Sequence, residues 1–411
     1  MSKPKAVLGY SGGLDTSVMI HWLQENRGVD VICVLVDVGQ PMTNLDDAIA
    51  RANANGALKV LVKDVKDEFA ADFLTPALHA NAMYEEVYPL ATALARPLIA
   101  KALVEVAKAE GADYIVHGCT GKGNDQVRFE VAIRALAPEL KVIAPMRDWT
   151  ITSPSGETVP VTREHEITYA QEHGVAIPDI AKKSVFSTDE NLWGRSVEAG
   201  VLEDPAQEAV EAAFDWTASP LEAPEAPELV TIGFVQGTPV SVDGKQLGLA
   251  ELITYLNARV GVHGVGRIDH VENRLVGIKS REIYEAPAAI ALIHAKKALE
   301  ALTLTRDVAH FKTSLEDKFA ELVYDGLWYT PLRQSLSAFF AHAHAHTTGE
   351  VTLKLYKGSL TLAGRTSESS LYDTNLATYE LGDSFNHQSA AGFIDIFGLP
   401  ASVVASKRGG A

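Results

Sequence analysis

The chain has 411 residues, 22% of them charged and 47% hydrophobic, and a formal net charge of −17. That length carries more than one domain and a large core, and that acidity argues against nucleic acid as the main partner. Two cysteines, Cys33 and Cys119, imply no disulfide framework; no apolar window reaches transmembrane length and the first strand follows Met1 too closely for a secretory leader, so a cytoplasmic location is expected.

Ala6-Val7-Leu8 reads as a short buried strand that stops at Ser11-Gly12-Gly13. The glycines permit backbone angles closed to other residues. Asp15, Thr16 and Ser17 follow, types that favour a first helical turn, and Met19, Trp22 and Leu23 recur on one helical face. Strand, Gly-rich turn and helix start together make a place where backbone N–H groups converge on an anion. A bare structural turn would not need three clustered hydroxyls. Nor would it need Asp15, whose charge repels a phosphate unless Mg²⁺ lies between them.

Val31 to Val36 is a continuous apolar run, as in strands covered on both faces of a parallel sheet. It ends in the loop Asp37-Val38-Gly39-Gln40, at the strand end where open α/β sheets bind ligands. Leu45–Ala54 reads as helix, Val60–Val62 as strand, and helical patterns continue to the Tyr84 region. Pro97 is placed in the first turn of a helix that Gly111 closes. Asp113–His117 is a strand running into a second Gly-rich loop, His117 to Asn124. Val127, Val131 and Leu136 then mark a helix face. Asn124 and Arg128, four apart, point the same way with Asp125 beside them. Arg with an amide suits a carboxylate or ureido group, and Asp suits an ammonium, so an amino acid answers both. Strands alternating with helices over the first ~150 residues predict an α/β fold built on a doubly wound parallel sheet.

Residues 202–228, rich in Ala, Glu and Pro, read as an exposed connection without chemistry. Strand patterns return at 229–234 and 239–242, with a turn at Asp243-Gly244, and at 351–356 and 360–362 around Lys357-Gly358. The later half is therefore α+β. His342, His344 and His346 lack acidic or cysteine partners and are read as a solvated or interface surface rather than a metal site. Ser406 to Ala411 is expected to fray.

YSGGLDTS (Tyr10 to Ser17) resembles the PP-loop of the ATP pyrophosphatases. The commoner nucleotide motifs fit less well: Val116 stands where a Walker A loop at Gly121-Lys122 needs Gly, and Gly261 to Gly266 reads GxxGxG. Taken with HGCTGKGNDQVRFE (His117 to Glu130), YPLATALARP (Tyr88 to Pro97), FSTDENLW (Phe186 to Trp193), HGVGRID (His263 to Asp269) and IYEAP (Ile283 to Pro287), the chain resembles the argininosuccinate synthase family.

That resemblance implies ligation of citrulline and aspartate to argininosuccinate through citrullyl-AMP, with ATP as co-substrate, Mg²⁺ as metal, and AMP and pyrophosphate released. It implies an ATP site of Gly9, Tyr10, Ser11, Gly12, Gly13, Leu14, Asp15, Thr16, Ser17, Val36 and Gly118, with Asp15 also toward the metal. Aspartate would meet Thr120, Asn124 and Asp125. Citrulline would meet Tyr88, Thr92, Asn124, Arg128, Ser187, Ser196, Glu272 and Tyr284. Asp15, Ser17, Asp125 and Arg128 would carry the chemistry. The expected units are a PP-loop domain at 1–168, a synthetase domain at 169–370 and a C-terminal arm at 371–411 that grips neighbours in a homotetramer. Within the same fold, tRNA thiolation would need catalytic cysteines and a basic surface. Glutamine-fed synthetases would need a glutaminase unit, and a nucleotide sensor would not need the Thr120–Arg128 clamp.

Overall fold

The computed structural model describes residues 3–153, 156–179 and 186–409. Its first sheet has five parallel strands, β1 (Lys5–Gly9), β2 (Asp30–Asp37), β3 (Lys59–Asp64), β4 (Tyr114–Val116) and β5 (Lys141–Ile143), in spatial order β3-β2-β1-β4-β5. The crossovers carry helices α1 (Leu14–Arg27), α2 (Leu45–Ala54), α3 (Ala91–Glu110) and α4 (Asp125–Leu136), and α5 (Arg163–His173) packs on α1. Val31 to Val36 are all buried, as the unbroken apolar run requires. Val7, Ile32 and Val34 face the core that includes α3, while Ala6, Leu8, Val31 and Cys33 face the side of α1 and α2. Strand order reverses between β1 and β4, so the loops after these strands diverge and leave a crevice at their carboxyl ends. The doubly wound reading of the first half is what the chain adopts.

Two local readings there need correction. Pro97 is not in a first turn: the helix begins six residues earlier, at Ala91, behind Leu90 at φ +68°. The Tyr88 hydroxyl takes the Thr92 amide at 2.9 Å, a tertiary cap that no local signal encodes. On α4 the fully buried face is Arg128, Phe129, Ala132 and Ile133, whereas Val127, Val131 and Leu136 are only half-buried.

The second half contributes β6 (Ser187–Asn191), β7 (Gly194–Glu198), β8 (Glu228–Val235), β9 (Thr238–Val242), β10 (Lys245–Gln246), α6 (Leu249–Gly261), β11 (Arg267–Asn273), β12 (Lys279–Glu285), α7 (Pro287–Thr303), α8 (Arg306–Tyr324), α9 (Pro331–Ala343), β13 (Gly349–Tyr356) and β14 (Ser359–Thr366). They form a four-stranded antiparallel sheet, β11-β12-β7-β6, and a five-stranded one, β10-β9-β8-β13-β14. Both predicted hairpins join in the second sheet, paired through β8 and β13.

The connection at 202–228 is exposed over much of its length, but its centre is not. Glu285, fully buried, accepts hydrogen bonds from the amides of Asp215 (3.0 Å), Trp216 (2.9 Å) and Thr217 (2.8 Å), from Thr217 Oγ1 (2.7 Å) and from Arg195 Nη1 (2.8 Å). The histidine run also divides. His342 and His346 are exposed, but His344 is buried, with Nε2 2.7 Å from Glu300 and Nδ1 2.6 Å from the Phe340 carbonyl. Lys296, also fully buried, pairs with Glu300 and lies 3.1 Å from His344 Nε2. Helix α9 stops at Ala343, so His342 and His346 do not share a helix face.

The C-terminal arm ends in α10 (His387–Phe397) and α11 (Leu399–Arg408). Neither helix buries a residue. Regular helix runs to Arg408, past the point expected to fray; Gly410 and Ala411 lie outside the described residues. Among the described residues no single helix is long and apolar enough to cross a membrane.

Candidate active site

A cleft of about 850 Å³ opens at the carboxyl ends of β1, β2 and β4 and is walled on its far side by β6, β7, β11 and β12. Of the residues singled out in the sequence, Gly9, Tyr10, Ser11, Gly13, Leu14, Asp15, Thr16, Val36 and Gly118 line its first half. Tyr88, Thr92, Thr120, Asn124, Asp125, Arg128, Ser187, Ser196, Glu272 and Tyr284 line the second. Gly12 and Ser17 do not reach the wall. Ser17 is fully buried beneath the loop, 3.2 Å from the Tyr10 hydroxyl, which also donates to the Ala48 carbonyl.

The loop in the first half is shaped by its own polar groups. Ser11 Oγ accepts from the Gly13 amide at 3.3 Å and lies 3.1 Å from Thr16 Oγ1. Gly12 sits at φ +76°, and a side chain there would lie 2.8 Å from Ala48 Cβ, so the turn excludes one on two counts. No side chain caps α1, which leaves its first amides free to meet an anion. Arg51 braces the turn from behind through Nη2 to the Gly12 carbonyl at 3.0 Å. Asp15 has a neighbour the sequence did not disclose. Glu166, on α5 and 2% exposed, is pushed up to about 8 by burial and then by the charge of Asp15, so it keeps its proton at neutral pH.

The second half is a chain of ion pairs and aromatic contacts. Arg96 binds Asp125 through Nε at 2.8 Å and Asp189 through Nη2 at 2.8 Å. Thr92 Oγ1 donates to Asp189 at 2.8 Å. Burial pushes the Asp125 carboxyl up, but the Arg96 and Arg128 charges outweigh it and hold it below the usual range. Arg128 Nη1 reaches Asp125 at 2.9 Å, Nε reaches the Tyr324 carbonyl at 2.9 Å, and Nη2 is buried with no hydrogen-bond partner. Glu272 accepts from Tyr284 at 2.5 Å and Tyr324 at 2.6 Å. Asn124 donates to Tyr324 at 2.8 Å and accepts from the Leu275 amide at 2.9 Å. Tyr88 stacks on Tyr284 at 4.1 Å between centroids, and Tyr84 stacks on Tyr324 at 3.5 Å.

Beside Glu272, Arg274 Nη2 is shared between Glu198 and Glu282, 2.5 Å from each. Burial and then the Glu198 charge push Glu282 up to about 8. The sequence reading passed over Arg96, Asp189, Glu166, Arg274, Glu282 and Tyr324 as site residues. Arg96 alone carried a local signal, since it lies four residues after Thr92 and shares its helix face. Cys33, in contrast, is where the sequence put it: fully buried within β2, its thiol pushed up to about 12 by burial.

Comparison with known proteins agrees along the whole chain. The arginosuccinate synthase N-terminal HUP domain matches residues 5–176, and the arginosuccinate synthase C-terminal domain matches residues 186–404. The argininosuccinate synthase of Symbiobacterium thermophilum is 56% identical over 406 residues, covering 99% of this chain and 98% of its own. That of Geobacillus kaustophilus is 56% identical over 403 residues, 98% and 96% of the two chains. That of Dictyoglomus thermophilum is 52% identical over 409 residues, 100% and 99%. A phosphate-type loop and an ion-paired polar half share one cleft, and both domains match in order, so the chain is an enzyme and belongs to the argininosuccinate synthase family of ATP-using ligases of arginine biosynthesis.

Proposed function

We propose that the protein joins citrulline and aspartate into argininosuccinate through citrullyl-AMP, releasing AMP and pyrophosphate. The observation that carries this reading is the unpartnered Nη2 of Arg128, buried in the cleft wall. A guanidinium held at two positions and open at a third is prepared for a carboxylate. Thr92, Ser187, Ser196, Tyr88 and Tyr284 supply uncharged polar atoms nearby for the remainder of citrulline, with Glu272 for its N–H groups. Thr120, Asn124 and Asp125 are assigned to aspartate. The Gly9–Ser17 loop, Val36 and Gly118 are assigned to ATP.

Asp15 lines the cleft and offers hard oxygen donors beside the free amides of α1, with the protonated Glu166 behind it, an arrangement that suits Mg²⁺ shared with phosphate oxygens. Bound there, the metal would neutralise charge on the phosphates. The chain's own task is alignment. It holds the ureido oxygen in line with the α-phosphorus and keeps water from competing for it. That oxygen forms the new bond to phosphorus as pyrophosphate leaves; the unprotonated aspartate amine then displaces AMP from carbon. The same reading takes the protein as a cytoplasmic homotetramer gripped by the α10–α11 arm.

The test follows one oxygen. Citrulline labelled with ¹⁸O at the ureido position should deliver the label to AMP and none to pyrophosphate, read by mass spectrometry after one turnover. AMP carrying an oxygen from water would overturn the ligation, as would AMP formed at the same rate without citrulline.

A further inference from the structure

Among the described residues, four arginines and no lysine line the cleft. Three of the arginines are committed: Arg96 to Asp125 and Asp189, Arg128 to Asp125, and Arg274 to Glu198 and Glu282. The fourth, Arg163, is the first residue of α5, is exposed, and makes no hydrogen bond or ion pair among the described residues. One turn further along α5 is Glu166, which feels Asp15 of α1 on one side and Arg163 on the other, so the three groups share one corner. That corner lies at the phosphate-loop end of the cleft, where α5 packs on α1.

Asp15 places negative charge there, since Glu166 keeps its proton, and a triphosphate brings about four more negative charges. The loop contributes only neutral N–H donors. A free guanidinium facing such a place is a cation awaiting its anion. In-line attack at the α-phosphorus fixes the direction, because the leaving group departs opposite the nucleophile. The amino-acid half lies on β6, β7, β11 and β12, so the pyrophosphate end belongs on the α1–α5 side. We propose that Arg163 is a catalytic residue that donates to the β- and γ-phosphates of ATP and holds the departing pyrophosphate. As the bond from the α-phosphorus to the bridging oxygen breaks, the electron pair goes to that oxygen. The guanidinium, permanently protonated, stabilises the charge without transferring a proton.

This assignment rests on the proposed cleavage into AMP and pyrophosphate, and the experiment separates the two. Arg163 is exposed at a helix start, so Arg163→Ala and Arg163→Lys should leave the fold intact. Calorimetric titration of the intact protein with inorganic pyrophosphate in Mg²⁺ buffer should show affinity about tenfold or more weaker in Arg163→Ala, the loss of one charged hydrogen bond. Arg163→Lys should recover part of it. AMP affinity and citrulline KM should be unchanged, while kcat falls. Unchanged pyrophosphate affinity, or AMP weakened as much as pyrophosphate, overturns the assignment and leaves the ligation reading standing. Release of ADP and orthophosphate by the parent protein overturns both.

Discussion

Arg128 bonds Asp125 across a single turn of α4, Nη1 to Oδ1 at 2.9 Å, so one guanidinium ties together the groups proposed for citrulline and for aspartate. Removing it should affect the two substrates unequally. Asp125 keeps Arg96 as a partner, whereas nothing replaces the open Nη2. Arg128→Ala should raise citrulline KM about ten- to a hundredfold, the ~1.5–3 kcal/mol of a charged hydrogen bond. ATP KM should hardly move. Steady-state kinetics with each substrate varied in turn checks this, and a collapse in ATP affinity would be the contrary result.

Asp15→Asn should lower turnover more than it lowers stability. The substitution keeps a side-chain oxygen that can accept from the protonated Glu166, so the fold loses little. What goes with it is the carboxylate assigned to the metal. Turnover measured across a Mg²⁺ titration should need more metal to reach a lower plateau; a curve that overlays the parent's would take Asp15 out of the metal's vicinity.

Glu282 makes stability depend on pH in a stated direction. Its carboxyl keeps its proton up to about pH 8 in the native protein, against an ordinary value of 4.5. Between those limits the folded state binds more protons than the unfolded one, so stability is fullest at the acid end and falls as pH rises. Glu166 adds a slope of the same sign over the same window. The buried His79 and Lys296, both pushed down by desolvation, slope the other way, so the test is a difference. The Tm of Glu282→Gln should gain on the parent's as pH rises from 5 to 8, and a difference that stays constant through this window would refute the placement of Glu282.

Truncation after Gly382 removes α10 and α11, whose Phe393 and Phe397 are 63% and 75% exposed. A stretch of this size left uncovered on a folded chain calls for a partner surface. Light scattering should show smaller assemblies after truncation, with the cleft and its ATP affinity unaffected. A full-length protein that is already monomeric would end the oligomer reading.

What was legible in the sequence was whatever is encoded locally. The apolar run at 31–36 and the Ser11-Gly12-Gly13 turn each carry their structure in adjacent residues, and β2 and the phosphate-type loop appear where those signals lie. The site's partners were hidden because their bonds span long stretches of chain. Arg96 meets Asp189 across 93 residues, and Asn124 meets Tyr324 across 200, with no periodicity to announce either. Pro97 misled because the start of its helix is set by Leu90 and the Tyr88 hydroxyl, not by the proline. His344 misled for a related reason. A histidine in an alternating Ala-His run reads as surface until a buried Glu300 from another helix claims it.

The clasp on Glu285 divides the 202–228 connection into parts with different evolutionary freedom. Residues 203–208 and 224–227 are exposed, so length and composition can drift there at little cost. The stretch 215–217 cannot drift in the same way, because most of its donors to Glu285 are backbone amides whose positions, rather than side chains, must be kept. The Asp215 side chain also pairs with Arg195, but the backbone is the stricter demand: a proline at 215 or 216, or a one-residue deletion, would strand a buried carboxylate at a cost of about 1–3 kcal/mol per lost donor. Sequence variability in this segment is thus a poor guide to its importance: what is retained there is a backbone path.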